Sequence, residues 1–411
     1  MVALRFDYRD LFRAPRLAFS FQRLWIQFLG LLVGYGGYVI LTYLAFLIGG
    51  ESLGEVWKRF GLLPCAFGYG LNFFGWVVFF LGVAFLVMAW LVTATAVSRA
   101  VYMNLKGNTF YTWKDAFAFA RKKVGAVAAT PAAIFTIIII MAAVGVVVGV
   151  AGRIPYVGEL GISLLAVIWY AASFFLVFVG LALLVAFLLT PSILAATDDD
   201  AFEGIFQSFS ILASQPWRLV LYEALVKFLS LAAFVVFAVF AKQAWNVMTR
   251  ILMCGMGDKF ADLSFAATNL VQGWVLPAVD WIRYFTGDLG NFFLFSHDLM
   301  VTDLSVMMTI SSVILAVIVF LIGMFVVSYP FATFNAGNTL LFLVLKKKKD
   351  DENLLERKDR EEEIEGEEES KPEEALETSS KPKARRIPKR RRPVARKKAS
   401  ASRSKRRSRR A

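Results

Sequence analysis

Glu223 and Lys227 stand in an otherwise apolar run and are the first residues here that could do chemistry. Four-residue spacing places them on one helical face as an ion pair. Charges within a membrane helix usually face a bundle interior or a watery cavity and mark a transport path. The structural alternative, which is preferred, puts Glu223 at the membrane interface and lets Lys227 reach back there along its own stem. Asp198, Asp199 and Asp200 offer hard oxygen ligands for a cation. Adjacent aspartates point in different directions, however, and a helical pattern starts directly after them, so helix capping is the better reading. The only histidine, His297, sits beside Asp298 and reads as a surface residue. No metal-ligand spacing, phosphate-binding glycine loop, dinucleotide fingerprint or nucleophile elbow is present. A non-enzymatic chain with no catalytic residue, cofactor or metal is therefore expected.

The elements that must position these residues are apolar helices. A bilayer crossing needs about 20 predominantly apolar residues, because the hydrocarbon layer offers no partner to backbone polar groups. Residues 24–50, 60–98, 124–152, 160–197 and 304–345 each lack any Asp, Glu, Lys or Arg, and 217–241 is interrupted only by Glu223 and Lys227. The sequence thus predicts an all-α membrane protein of about six transmembrane helices, with short interfacial amphipathic helices and a disordered C-terminal tail. Its parts are an amphipathic N-terminal segment, 1–23, a transmembrane domain, 24–345, and a tail, 346–411. The first run is too long for a secretory signal and reads as a retained helix. Gly30 with Gly34, and Gly145 with Gly149, read as positions of close helix packing.

Lys and Arg mark the cytoplasmic segments of such a protein. Five precede the first run, and Arg99, Lys106, Lys114, Arg121, Lys122 and Lys123 separate the second from the third, whereas the alternate loops hold only Lys58 and Arg59, then Arg153. Both termini are accordingly expected in the cytoplasm, in a prokaryotic plasma (inner) membrane. This topology places Cys65 and Cys254 in the first and last external loops. A disulfide between them suits an oxidising space, and two buried free thiols are the alternative.

Three cytoplasmic segments share a short pattern: Asp10-Leu11-Phe12, Asp115-Ala116-Phe117 and Asp200-Ala201-Phe202 each open a helical stretch leading into a spanning run. An internal threefold repeat of interfacial helix plus helix pair is one explanation and chance is the other. With Leu189-Thr190-Pro191-Ser192, Asp200-Ala201-Phe202 and the stretch from Ser208 to Trp217, the chain resembles poorly characterised prokaryotic six-helix membrane proteins, including the membrane domain found with some glycerophosphodiester phosphodiesterases. That resemblance covers residues 1–345. It implies an architecture without implying phosphodiesterase activity, since no catalytic phosphodiesterase domain accompanies it here.

Residues 242–303 form the longest external loop, apolar enough to lie against the membrane. Its stripe of Phe260, Leu263, Ala267, Leu270 and Trp274 suits an interfacial helix. Pro277 disfavours one straight helix, leaving two short helices or a re-entrant hairpin. Beyond Leu345 the composition turns charged. Residues 381–411 contain 17 Lys and Arg and no acid, with too few apolar side chains to offset ordering entropy. Arg385, Arg386, Lys389, Arg390, Arg391, Arg392, Arg406, Arg407, Arg409 and Arg410 make this an electrostatic tail for anionic lipid, nucleic acid or the ribosome. The expected function is a membrane anchor or scaffold whose polybasic tail contacts an anionic cytoplasmic partner. A transporter or lipid-handling protein with a polar site near Glu223 and Lys227 is the rival, and homo-oligomerisation stays open.

Overall fold

The computed structural model describes residues 4–68, 70–286 and 305–357. Regular structure among the described residues is helical, with no strand. Two short helices, α1 (Tyr8–Leu11) and α2 (Ala14–Ala18), lead into α3 (Phe21–Gly49). A short α4 (Leu53–Phe60) precedes α5 (Phe73–Lys106), and α6 (Trp113–Lys122) leads into α7 (Val124–Ala151). Then follow α8 (Val157–Leu164), α9 (Ala166–Thr197), α10 (Ala201–Ser214), α11 (Pro216–Met256), α12 (Asp258–Thr286) and α13 (Val306–Asp350). Helices α3, α5, α7, α9, α11 and α13 are long and apolar enough to cross a bilayer. The chain is a multi-pass integral membrane protein.

Local sequence accounts for the ends of these helices. Asn72 caps α5 by accepting the Gly75 amide at 2.7 Å. Thr112 and Asp115 form a reciprocal capping box at the start of α6. Gly50 and Gly107 close α3 and α5 in the left-handed conformation, where a missing Cβ removes the steric cost.

Four boundaries differ from the sequence expectation. The second spanning helix begins at Phe73, after an irregular segment, and runs on to Lys106, so Arg99 is a helix residue and not a loop charge. Its continuation is physically reasonable because 99–106 holds good helix formers and no breaker before Gly107. Helix α11 continues through Met256 into the segment expected to be loop. After Gly257, α12 then runs as one helix to Thr286 through Pro277. The last helix passes Leu345 and stops at Asp350, so the tail boundary at 346 moves outward. Lys346 and Lys347 stabilise that extra turn through carboxylates four residues on, Asp350 at 2.7 Å and Asp351 at 2.9 Å.

Helix α13 is the axis of the body, touching α1, α2, α3, α5, α9, α11 and α12. Asp7 meets Lys348 at 3.4 Å, which brings the N-terminal segment and the end of α13 to one face, here termed the terminal face. On the α3–α5 side, Gly30, Gly34 and Gly37 admit Thr93, Ala89 and Phe85 so closely that a Cβ would overlap them. Gly145 and Gly149 meet nothing within 4 Å, so this pair does not pack within the chain. The irregular segment after α4 folds back along α3: the Tyr35, Tyr43 and Tyr38 hydroxyls donate to the carbonyls of Leu62, Gly61 and Pro64. Tyr35 lies about 21 Å along the axis from Phe21, a depth at which non-helical backbone needs protein partners.

Candidate functional site

Buried polar residues gather in the third of the bundle nearest the terminal face, where α5, α9 and α13 converge. The Ser98 hydroxyl lies 3.3 Å from that of Ser192, which lies 3.4 Å from that of Thr339, so one residue from each helix joins a hydroxyl chain. Beside it, Asn335 donates to Gln27 at 2.9 Å and Asn338 donates to the Leu188 carbonyl at 3.3 Å. Arg99 is 0% exposed. It donates to the Ala195 carbonyl at 2.9 Å and lies 4.3 Å from the Phe119 ring centroid. Polar side chains of this kind tie membrane helices together, because the alternative is an unmet group in an apolar medium. The sequence reading noted Ser192 only within a resemblance and Arg99 only as a loop charge, and it missed the cluster, which no spacing rule could find: Ser98 and Ser192 are 94 positions apart, Ser192 and Thr339 147.

Glu223 and Lys227 do form a pair, with Lys227 Nζ 3.8 Å from Glu223 Oε1. They differ sharply in environment. The Glu223 side chain is 9% exposed and that of Lys227 is 60% exposed. Lys227 lines a crevice of about 550 Å³ on the flank of the bundle, between the α5–α9 side and the α11–α13 pair. Its walls include Trp90, Leu188, Leu231, Phe331 and Phe334. The pair therefore sits beside this lateral groove, with Lys227 on its wall.

The three aspartates are spent on local structure. Asp198 ends α9 and pairs with Lys123 at 2.8 Å, Asp199 faces Arg357 at 3.6 Å, and Asp200 occupies the N-cap position of α10 without a side-chain capping bond. Among the described residues no group of three metal-ligating side chains gathers.

Cys65 and Cys254 are free thiols, half-buried and exposed respectively, so neither the bridge nor the pair of buried thiols that the sequence left open is found. The segment holding Cys65 docks on the far part of α12, where the Leu62 amide donates to the Trp274 carbonyl at 2.7 Å. Cys254 lies at the opposite end, in the last turn of α11. About 24 Å of helix separates Asp258 from Trp274, whereas a bridge needs Cα atoms within about 7 Å.

The root of the tail is held on the body. Leu354 and Leu355 are 2% and 3% exposed. The Tyr102 hydroxyl donates to the Leu354 carbonyl at 2.8 Å, and the Lys106 ammonium donates to the Arg357 carbonyl at 2.8 Å. Apolar Leu354-Leu355 among charges was the available signal. His297 and the electrostatic tail from Arg385 to Arg410 lie outside the described residues. Comparisons with family models, curated proteins and solved structures found no match.

Proposed function

We propose that the protein is a non-enzymatic membrane anchor that holds its basic C-terminal segment at the cytoplasmic side of a prokaryotic plasma membrane and presents it to an anionic partner. The observation that carries this reading is the strap at 351–357. Two buried leucines, two side-chain bonds to its backbone and the Arg357–Asp199 pair fix the point from which the tail departs. A tether needing only reach would have no use for such a mount. The polar residues of the spanning helices support the same reading, since they bond to one another across α3, α5, α9 and α13. Orientation follows from the excess of Lys and Arg beside the terminal face.

An internal threefold repeat is part of the proposal. A short helix followed by two long apolar helices, with one further helix between the long pair, recurs as α2–α3–α5, α6–α7–α9 and α10–α11–α13. The intervening helix is short in the first two sets (α4, α8) and 29 residues long in the third (α12). Ser98, Ser192 and Thr339 come from the second long helix of each set. The aspartates that suggested the repeat support it less well. Asp10 accepts the Phe6 amide, Asp115 completes a capping box and Asp200 is an N-cap.

The experiment is quantitative co-purification from native membranes of the full chain and of a chain lacking 381–411. The full chain should retain nucleic acid, ribosomes or anionic lipid and release them as salt rises from roughly 0.1 to 1 M, where screening shortens to about 3 Å. Identical co-purifying material from both chains would remove the proposal.

A further inference from the structure

The flank crevice lies at a definite depth. Apart from Phe21, exposed at the very start of α3, large apolar side chains become exposed at Leu32 in α3 and Phe135 in α7, each 11 residues past the start of its helix. The exposed bands then run from Leu32 to Ile48, Phe135 to Val150 and Val167 to Leu184. These stretches are roughly 22–26 Å long, close to the hydrocarbon thickness of about 30 Å. Lys227 is also 11 residues past the start of its helix, Pro216. On α11 itself exposed apolar side chains already occur at Val220 and Leu221, while Phe331, the last exposed large apolar residue of α13 toward the terminal face, lines the same crevice. Lys227 therefore lies in the outermost turns of the apolar zone, and its long stem carries the ammonium to the headgroups. The exposed Trp217, nearer that face, falls in the interfacial layer where tryptophan is enriched.

We propose that the crevice binds one anionic phospholipid of the surrounding leaflet, with an acyl chain against Trp90, Leu188, Leu231, Phe331 and Phe334 and the headgroup phosphate on Lys227. The volume, about 550 Å³, falls in the usual range of roughly 300–1,000 Å³ for ligand sites. Ser230 pins the floor by donating to the Pro330 carbonyl, which holds α11 to α13 there. The charge arrangement selects the headgroup. Glu223 is buried behind Lys227 and approaches the ammonium from one side only, leaving the exposed side to an acceptor from the bilayer. Neither Glu223 oxygen has a hydrogen-bond donor. The pair is therefore loose, and a phosphate competes for the lysine on good terms. No residue of 381–411 enters this proposal, so deleting that segment tests the anchor reading and not this one.

The test uses the full chain in nanodiscs or detergent, with native mass spectrometry counting retained lipid. Brominated phosphatidylglycerol and brominated phosphatidylcholine are the competing probes, and fluorescence quenching that disappears in Trp90→Phe locates the chain. The expected result is one tightly retained phosphatidylglycerol with the quenching at Trp90. Lys227→Gln should weaken its retention roughly fivefold, the usual effect of one basic residue near the lipid surface. Leu231→Trp, on an exposed wall position, should displace the lipid, while Leu221→Trp elsewhere on the same helix should not. Glu223→Gln should tighten retention by freeing the ammonium, a direction that a merely structural ion pair does not give. Equal retention of the two lipids overturns the proposal, as does wild-type retention in either Lys227→Gln or Leu231→Trp.

Discussion

Gln27 and Asn335 illustrate how single polar residues hold this body together. Each is buried in a long apolar helix, and Asn335 donates to Gln27 at 2.9 Å. Removing one partner leaves the other unmet, which costs about 1–3 kcal/mol, whereas replacing both by apolar groups of similar shape is closer to neutral. Asn335→Leu should therefore lower stability by about 1–3 kcal/mol in a denaturation series, and the double variant with Gln27→Leu should recover part of the loss. A double variant that simply summed the two single losses would argue against the pairing. At the terminal face the relevant side chains titrate. The Tyr8 amide and then Lys348 hold the Asp7 carboxyl below its ordinary value, and Lys347 lowers Asp351 likewise. A depressed folded-state pKa gives stabilisation that is complete above the unfolded value and fades as pH falls through the folded one. The clasp between Asp7 and Lys348 should thus be complete at neutral pH and open only as pH falls below the ordinary aspartate value of about 3.9. Hydrogen exchange of residues 4–12 should speed up over that acidic interval, and unchanged rates there would count against the clasp.

Among elements, α3 and α5 give the sharpest contrast. A Cβ at Gly30 would come 2.0 Å from the Thr93 hydroxyl, and one at Gly34 would come 2.8 Å from the Ala89 Cβ. Overpacking a close interface typically costs about 1–3 kcal/mol, so Gly30→Ala should lower the unfolding temperature measurably. Gly145→Ala and Gly149→Ala should be neutral or slightly stabilising, because nothing lies near either position and alanine favours the helix. A larger loss from the Gly145 substitution than from Gly30 would place the close contact elsewhere, for instance between copies of the chain. The two glycine pairs look alike in sequence, and only the partner helix distinguishes them. The same limit governs the rest of the reading. Spanning helices were legible because a charge-free run of 20 or more residues has few other uses, and the Glu223–Lys227 pair was legible because helical spacing is local. Arg99 was misplaced because a charge after an apolar run normally marks its end, whereas here the Tyr102 ring of its own helix, the Phe119 ring of α6 and the Ala195 carbonyl of α9 enclose it. Tyr35, Tyr38 and Tyr43 went unremarked for the same reason, since the carbonyls they serve are 18 to 27 positions away.

For the whole molecule, the question is how a body built for rigidity serves a tail built for charge. Short segments meet at the terminal face: Asp7 pairs with Lys348, Lys123 with Asp198, and Arg357 with Asp199. Reporters inserted at Asn108 and Ser214 should therefore read the same side as the N-terminus, and reporters within 51–59 or beside Arg153 the other side. A shared reading for all four positions would break the six-helix topology. The strap at 351–357 links that topology to function. Burying Leu354 and Leu355 supplies about 1.5–3 kcal/mol for each side chain, enough to keep the segment docked most of the time. Replacing both with Asp should remove that attraction and put two carboxylates where buried apolar side chains stood, so the segment should leave the body. Hydrogen exchange in 351–357 should rise to the rate of free chain, while the amides of α13 before Leu345 stay protected. Every basic residue of the tail survives in this variant, so the isolated electrostatics are unchanged. If the mount matters, recovery of the anionic partner from native membranes should fall although a peptide of 381–411 binds as before. Undiminished recovery with the strap demonstrably released would mean that the tail acts as a plain tether and that the anchored geometry serves only the stability of the bundle.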